Sequence, residues 1–136
     1  MTTYILVNFE GVLEDYERDA IESALDVTIG AIRNILPYSS ENETVENYVF
    51  AVVKNLMDPE NGWNKPAFII RLPEARPVFS VLFIIALQNA TGEAAAILEL
   101  HYTDDFPPEI DRNETNAIPL QRIHKKAHQL RYSLAA

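Results

Sequence analysis

The chain has 136 residues, of which 48% are hydrophobic and none is cysteine, and its net charge is −9. That length suits one domain with a core large enough to need no cross-links, and the lack of cysteine excludes disulfides, thiolate metal sites and a cysteine nucleophile together. Residues 1–60 hold twelve acids against Arg18, Arg33 and Lys54, and residues 61–136 hold eight of each sign; this excludes a long nucleic acid, whose binding rests on neutralising many phosphates, but not a small anion met by a few local donors.

The opening residues Met1 to Asn8 lack the basic region and the long apolar run of a signal peptide. The longest uncharged stretch, Pro77 to Gly92, is shorter than the roughly 18 residues of a membrane span. A soluble, cytoplasmic chain with no membrane partner is expected.

Taken in order, residues 4–9 (Tyr-Ile-Leu-Val-Asn-Phe) predict a buried strand. Glu10 to Leu13 turns the chain. Residues 14–25 predict an acidic helix with Tyr16, Ala20, Ile21 and Ala24 or Leu25 on one face. Asp26 to Gly30 is expected to be a connection, and Ala31 to Leu36 a second strand stopped by Pro37. A second helix should follow Tyr38-Ser39-Ser40, with Ser40 and Glu43 as a capping box and an apolar stripe of Val45, Val49, Val52, Val53 and Leu56. Asp58 to Lys65 reads as a polar loop.

The third strand is expected at Ala67–Leu72. A helix at about Val78–Asn89 is apolar nearly all round, which suits a central position or a subunit interface, and Gly92 ends it. Ala95–Tyr102 predicts a fourth strand, Asp104–Asn116 a long acidic turn, Ala117–Leu120 a short fifth strand, and Gln121–Ser133 a closing basic helix. The pattern is βα three times, then βββα or ββα. It predicts an α/β domain spanning 1–136, with a mainly parallel sheet of four to five strands and helices on both faces. In such folds ligands lie beyond the carboxyl ends of the strands.

Three places at those ends are candidate binding sites. The first is Asn8-Phe9-Glu10-Gly11, where an amide that both donates and accepts interrupts an apolar strand; a local turn is the competing reading. The second is Pro37-Tyr38-Ser39-Ser40, an aromatic face and two hydroxyls at a helix amino terminus. The third runs from Arg71 through Pro73 and Glu74 to Arg76. Arginine at the end of a buried strand is costly unless its guanidinium emerges, where it can hold a phosphate bidentately; a pair with Glu74 explains it equally well. His101 at the end of the fourth strand is a possible base, though a structural role is commoner. His124 and His128 share one helix face, but Lys125 and Lys126 between them argue for a solvated basic surface and against a metal. No dinucleotide fingerprint follows the first strand. No metal and no cofactor is expected.

The segment Tyr4-Ile-Leu-Val-Asn-Phe-Glu-Gly-Val-Leu13 resembles the opening of a small CRISPR-associated accessory family of type III systems, proposed to act as ring nucleases. That family begins with an apolar strand and then Asn-Phe-Ser-His-Pro-Leu. Asn8, Phe9 and Leu13 match; Glu10 and Gly11 stand where the family has Ser and His. Ile32 to Ser39, Phe68 to Pro77 and Ala117 to Arg131 are similar to its second strand and loop, its Pro-rich turn before an apolar helix, and its closing strand and helix. The resemblance implies a Rossmann-like fold. It also implies a cyclic oligoadenylate ligand, most simply the tetra-adenylate ring, held over the strand ends between subunits of a homodimer or larger ligand-bridged homo-oligomer.

If the ring is cut, its own 2′-hydroxyl would attack the adjacent phosphorus without a metal, with Arg71, Ser39 and Tyr38 as the catalytic candidates. The missing Ser and His favour binding that sequesters the ring over cleavage. The competing expectation is an acidic protein-interaction module, with no nucleotide ligand, that docks through the 14–25 helix.

Overall fold

The fold is seen in a computed structural model that describes residues 3–36, 38, 43–58, 67–92 and 95–135. Strand β1 (Thr3–Asn8) lies inside the sheet and pairs in parallel with β2 (Thr28–Asn34) on one side and β3 (Ala67–Arg71) on the other. Its Ile5-Leu6-Val7 run is apolar on both faces because both faces are covered. Strand β4 (Ala96–Glu99) extends the parallel set beyond β3, and β5 (Asn116–Pro119) closes it antiparallel, giving the order β2-β1-β3-β4-β5. The connecting helices are α1 (Asp15–Leu25), α2 (Val45–Leu56), α3 (Pro77–Thr91) and α4 (Leu120–Ala135). This is a mostly parallel, Rossmann-like α/β sheet with five strands, so the ending is ββα.

Alternation along each strand divides the core in two. Leu6, Ile69 and Leu98 point to α1 and meet Leu13, Ile21 and Ile110. Val7, Phe68 and Ile70 point to the other face and meet Val49, Val53 and Leu56 of α2 and Phe79, Phe83 and Leu87 of α3. Helices thus cover both faces, as the pattern predicts.

Several boundaries differ from those read in the sequence. The segment expected to connect residues 26 to 30 contributes Thr28, Ile29 and Gly30 to β2, which starts three residues before Ala31. The pairing with β1 jumps from Tyr4↔Ile29 to Ile5↔Ala31, so Gly30 is the extra residue of a bulge. A Cβ on Gly30 would stand 2.7 Å from the Thr3 methyl, so a larger residue there needs the Thr3 side chain to turn away. A glycine that reads as a breaker in one dimension is here a close approach in three.

The second helix starts at Val45, later than the capping box at Ser40 implies. Thr44 is the cap, with its side chain accepting from the Asn47 N–H at 3.1 Å; Ser40 lies outside the described residues. Strand β4 is half the length expected, and Tyr102 joins the structure only through a bridge to Ile110. Helix α3 runs longer at both ends, opening on Pro77, whose fixed φ and missing N–H suit a first helical position.

Candidate functional site

The order β2-β1-β3 contains a reversal. From β1 the chain crosses by α1 to β2 on one side, then by α2 to β3 on the other. Neighbouring connections leave opposite faces at the carboxyl ends of β1 and β3, the arrangement at which folds of this kind open a crevice. The loops after β1, β2 and β3 bound it. They carry Glu10 and Gly11, Tyr38, and Arg71 to Arg76 respectively.

Specific bonds tie these loops together. Arg71 Nη1 donates to the Glu10 carbonyl at 2.9 Å, joining the loops after β3 and β1. The Glu74 N–H donates to Glu10 Oε1 at 3.2 Å. Arg76 Nε donates to the Tyr38 carbonyl at 3.0 Å. The Arg71 side chain is half-buried. Its partner is a main-chain oxygen, and Glu74 meets Glu10 instead of Arg71.

Asn8 and Phe9 shape this crest from beneath. Asn8 is fully buried. Its Nδ2 donates to Asn34 Oδ1 at 2.8 Å and to the Gly11 carbonyl at 3.2 Å, and its Oδ1 accepts from the Glu10 N–H at 3.2 Å. Asn34 in turn accepts from the Leu13 N–H at 3.0 Å and donates to the Leu13 carbonyl at 3.3 Å. Two asparagines at the ends of paired strands therefore hold the whole Glu10–Leu13 turn, and Gly11 supplies the positive φ of 66° that the turn requires. Phe9 is buried against Phe79 and Phe83, edge to face, with centroids 5.1 and 4.9 Å away. Pro73 is buried as well. These three lie buried beneath the crest.

Tyr38 is half-buried, with its hydroxyl donating to the Glu43 carbonyl at 3.0 Å and its ring tilted against Tyr48 at 6.0 Å. Pro37, Ser39 and Ser40 lie outside the described residues. The groups brought together at the surface are thus Glu10, Gly11, Tyr38, Arg71 and Arg76. The amino end of α3 opens beside them and has no acid in its first turn, whereas α1 and α2 have Asp15, Glu17 and Glu46 there. An anion is favoured at α3 and opposed at the other two.

His101 lies past the end of β4, with Nε2 3.7 Å from the Glu99 carboxylate and its N–H donating to Thr115 Oγ1 at 3.1 Å. On α4, His124 meets Gln88 at 3.3 Å and His128 packs edge-on against Tyr132.

Sequence reading missed Glu17 and Tyr102. Tyr102 donates its hydroxyl to Glu17 Oε2 at 2.9 Å, while Glu17 Oε1 accepts from the Glu14 N–H. The pair lines a cleft of about 650 Å³ with Tyr16, Pro107, Pro108 and Arg112. Burial, reinforced by the bond to Glu17, pushes the Tyr102 phenol up to about 12, and Arg71 opposes this. A raised phenol stabilises the fold fully below its ordinary value near 10, and the contribution is lost as pH rises through about 12. Tyr102→Phe is therefore expected to lower stability below pH 10, with the two proteins converging above pH 12. Denaturant titrations across that range read this out; parallel curves would contradict it.

Compared with protein-family models, with curated proteins and with solved structures, the chain matches none.

Proposed function

We propose that the crevice between β1 and β3 binds a cyclic oligoadenylate, most simply the tetra-adenylate ring, and lowers its free level by holding it, within type III CRISPR signalling. One observation carries the reading. Arg71 and Arg76 tie the three loops of a topological switch point into one surface, beside a helix amino terminus free of acids. Such a surface offers planar cationic groups and main-chain donors to phosphate, and Tyr38 offers a ring face for a base. The carboxylates of Glu10 and Glu74 lie on the same crest and oppose a phosphate there, so the guanidinium groups must carry the binding.

The resemblance of Tyr4 to Leu13 to the CRISPR-associated accessory family selects the ring among small nucleotides. A ring with internal symmetry also suits a site shared between copies of the chain. Holding is favoured over cutting. Glu10 and Gly11 replace the Ser and His of that family, and the Tyr38 hydroxyl is already engaged by Glu43. In-line positioning for attack by the ligand's own 2′-hydroxyl gives slow, metal-independent cleavage at most.

A thermal-shift screen over cyclic tri-, tetra- and hexa-adenylate tests this. Ligand at 100 times Kd stabilises by about 2.7 kcal/mol. Arg71→Met should weaken binding by about ten- to a hundredfold, the worth of a charge-assisted bond to phosphate. If no ring shifts the melt, the crest is not a nucleotide site, and the acidic α1 surface becomes the better candidate for function. Product analysis of any hit separates holding from cutting.

A further inference from the structure

Helix α4 leaves the body of the fold after its first turns, where His124 still meets Gln88 of α3. Leu120 is half-buried, but every residue from Gln121 to Leu134 is exposed. The helix is nonetheless patterned for burial. Leu120, Ile123, Ala127, Leu130 and Leu134 recur at alternating steps of three and four, which is one continuous apolar seam. Arg122, Lys125, Lys126 and Arg131 flank it, with no acid in the helix. A helix of this length is marginal in water without a partner for its apolar side.

A complementary surface lies on the same chain. The outward sides of α2 and α3 form an apolar groove of about 680 Å³ lined by Val45, Val49, Phe50, Leu82, Ile85 and Ala86. Phe50, Leu82 and Ile85 are exposed there. Glu46 is the charged residue that lines it. Seam and groove match in apolarity, and the charged residue lining the groove, Glu46, is opposite in sign to the bases beside the seam.

We propose that two copies of the chain form a two-fold dimer in which α4 of each lies in the α2–α3 groove of the other. Two-fold symmetry satisfies both seams and both grooves at once and closes the assembly. The contact does not involve the crest and needs no ligand there, so it stands apart from the nucleotide reading.

Light scattering on the full chain without ligand should give twice the chain mass. Ile85→Glu in the groove and Leu130→Glu on the seam should each give monomers that still unfold cooperatively, with circular dichroism reduced by no more than the helicity of α4, because both positions are solvent-exposed within one chain. An equimolar mixture of the two variants should regain dimeric mass, since one copy keeps its groove and the other its seam. The Lys125→Glu, Lys126→Glu double variant should bind itself more weakly, and the wild-type dimer should weaken with salt. A monomeric wild type, a dimeric single variant, or two monomeric variants that fail to combine when mixed would each overturn the helix-in-groove arrangement.

Discussion

Truncating Phe9 to alanine is expected to destabilise the fold by about 3–5 kcal/mol, the usual cost of removing a buried aromatic ring. Phe9 has 1% of its surface exposed and stands at the centre of an aromatic trio with Phe79 and Phe83. The latter two rings also stack on each other at 5.9 Å, so they are held by α3 and cannot readily collapse into the vacated space. A loss of that size is a large share of the roughly 5–15 kcal/mol that holds a domain together. Urea denaturation of Phe9→Ala beside Phe9→Leu checks it. The leucine variant keeps most of the volume and should lose well under half as much. If Phe9→Ala unfolds at the wild-type midpoint, Phe9 does not support the crest from below. Phe9→Leu should leave ring binding unchanged, which separates support from ligand contact.

The second large effect is expected at Asn8. Asn8→Ala strips the Glu10 N–H and the Gly11 carbonyl of their partner and leaves Asn34 Oδ1 with one donor in place of two. Each polar group left unpaired costs about 1–3 kcal/mol, so a total near 3 kcal/mol is expected. Asn8→Asp should be worse, because a buried carboxylate cannot donate to Asn34 Oδ1 or to Gly11 and carries an unpaired charge into the sheet. A double-mutant cycle with Asn34→Ala should show coupling of about 0.5–3 kcal/mol, since the two amides hold one turn. Independent, additive losses would show that the Glu10–Leu13 turn stands without them. If the coupling is found, ring binding in Asn8→Ala should fall together with stability, through a turn that no longer presents Glu10 to Arg71.

Asn8 and Arg71 are legible in the sequence because each interrupts an apolar strand with a polar group, and burial makes that costly without a partner. What each does is not legible, because the partners are distant: Asn34 lies 26 residues from Asn8, and the Glu10 carbonyl 61 residues from Arg71. Tyr102 and Glu17 are 85 residues apart, and neither interrupts a periodic pattern, so nothing local marks them.

The helix-start error has a different cause. Ser40 and Glu43 fit a capping box, whereas Thr44 caps the helix by a single bond from the Asn47 N–H, and local spacing alone does not show which wins. Gly30 punctuates the one-dimensional pattern and so hides the start of β2, whereas in the sheet it sits at the bulge opposite Tyr4 and Ile5. Element type follows from periodicity; the crest follows from which strands neighbour which, and the reversal at β1 and β3 is a property of the sheet alone.

The two margins of the sheet bear on how copies of this chain can meet. At one margin β2 carries the Gly30 bulge and the charged Arg33, whose guanidinium is held by Asn55 Oδ1 at 2.6 Å. At the other, β5 has four residues and ends on Pro119, which has no N–H to offer an incoming strand. Bulges, charges and prolines at such positions block the addition of further strands. Growth into a continuous intermolecular sheet is therefore disfavoured at both ends. Self-association of this protein is steered to its helices, where contacts are made by side chains and can be dissolved by single substitutions.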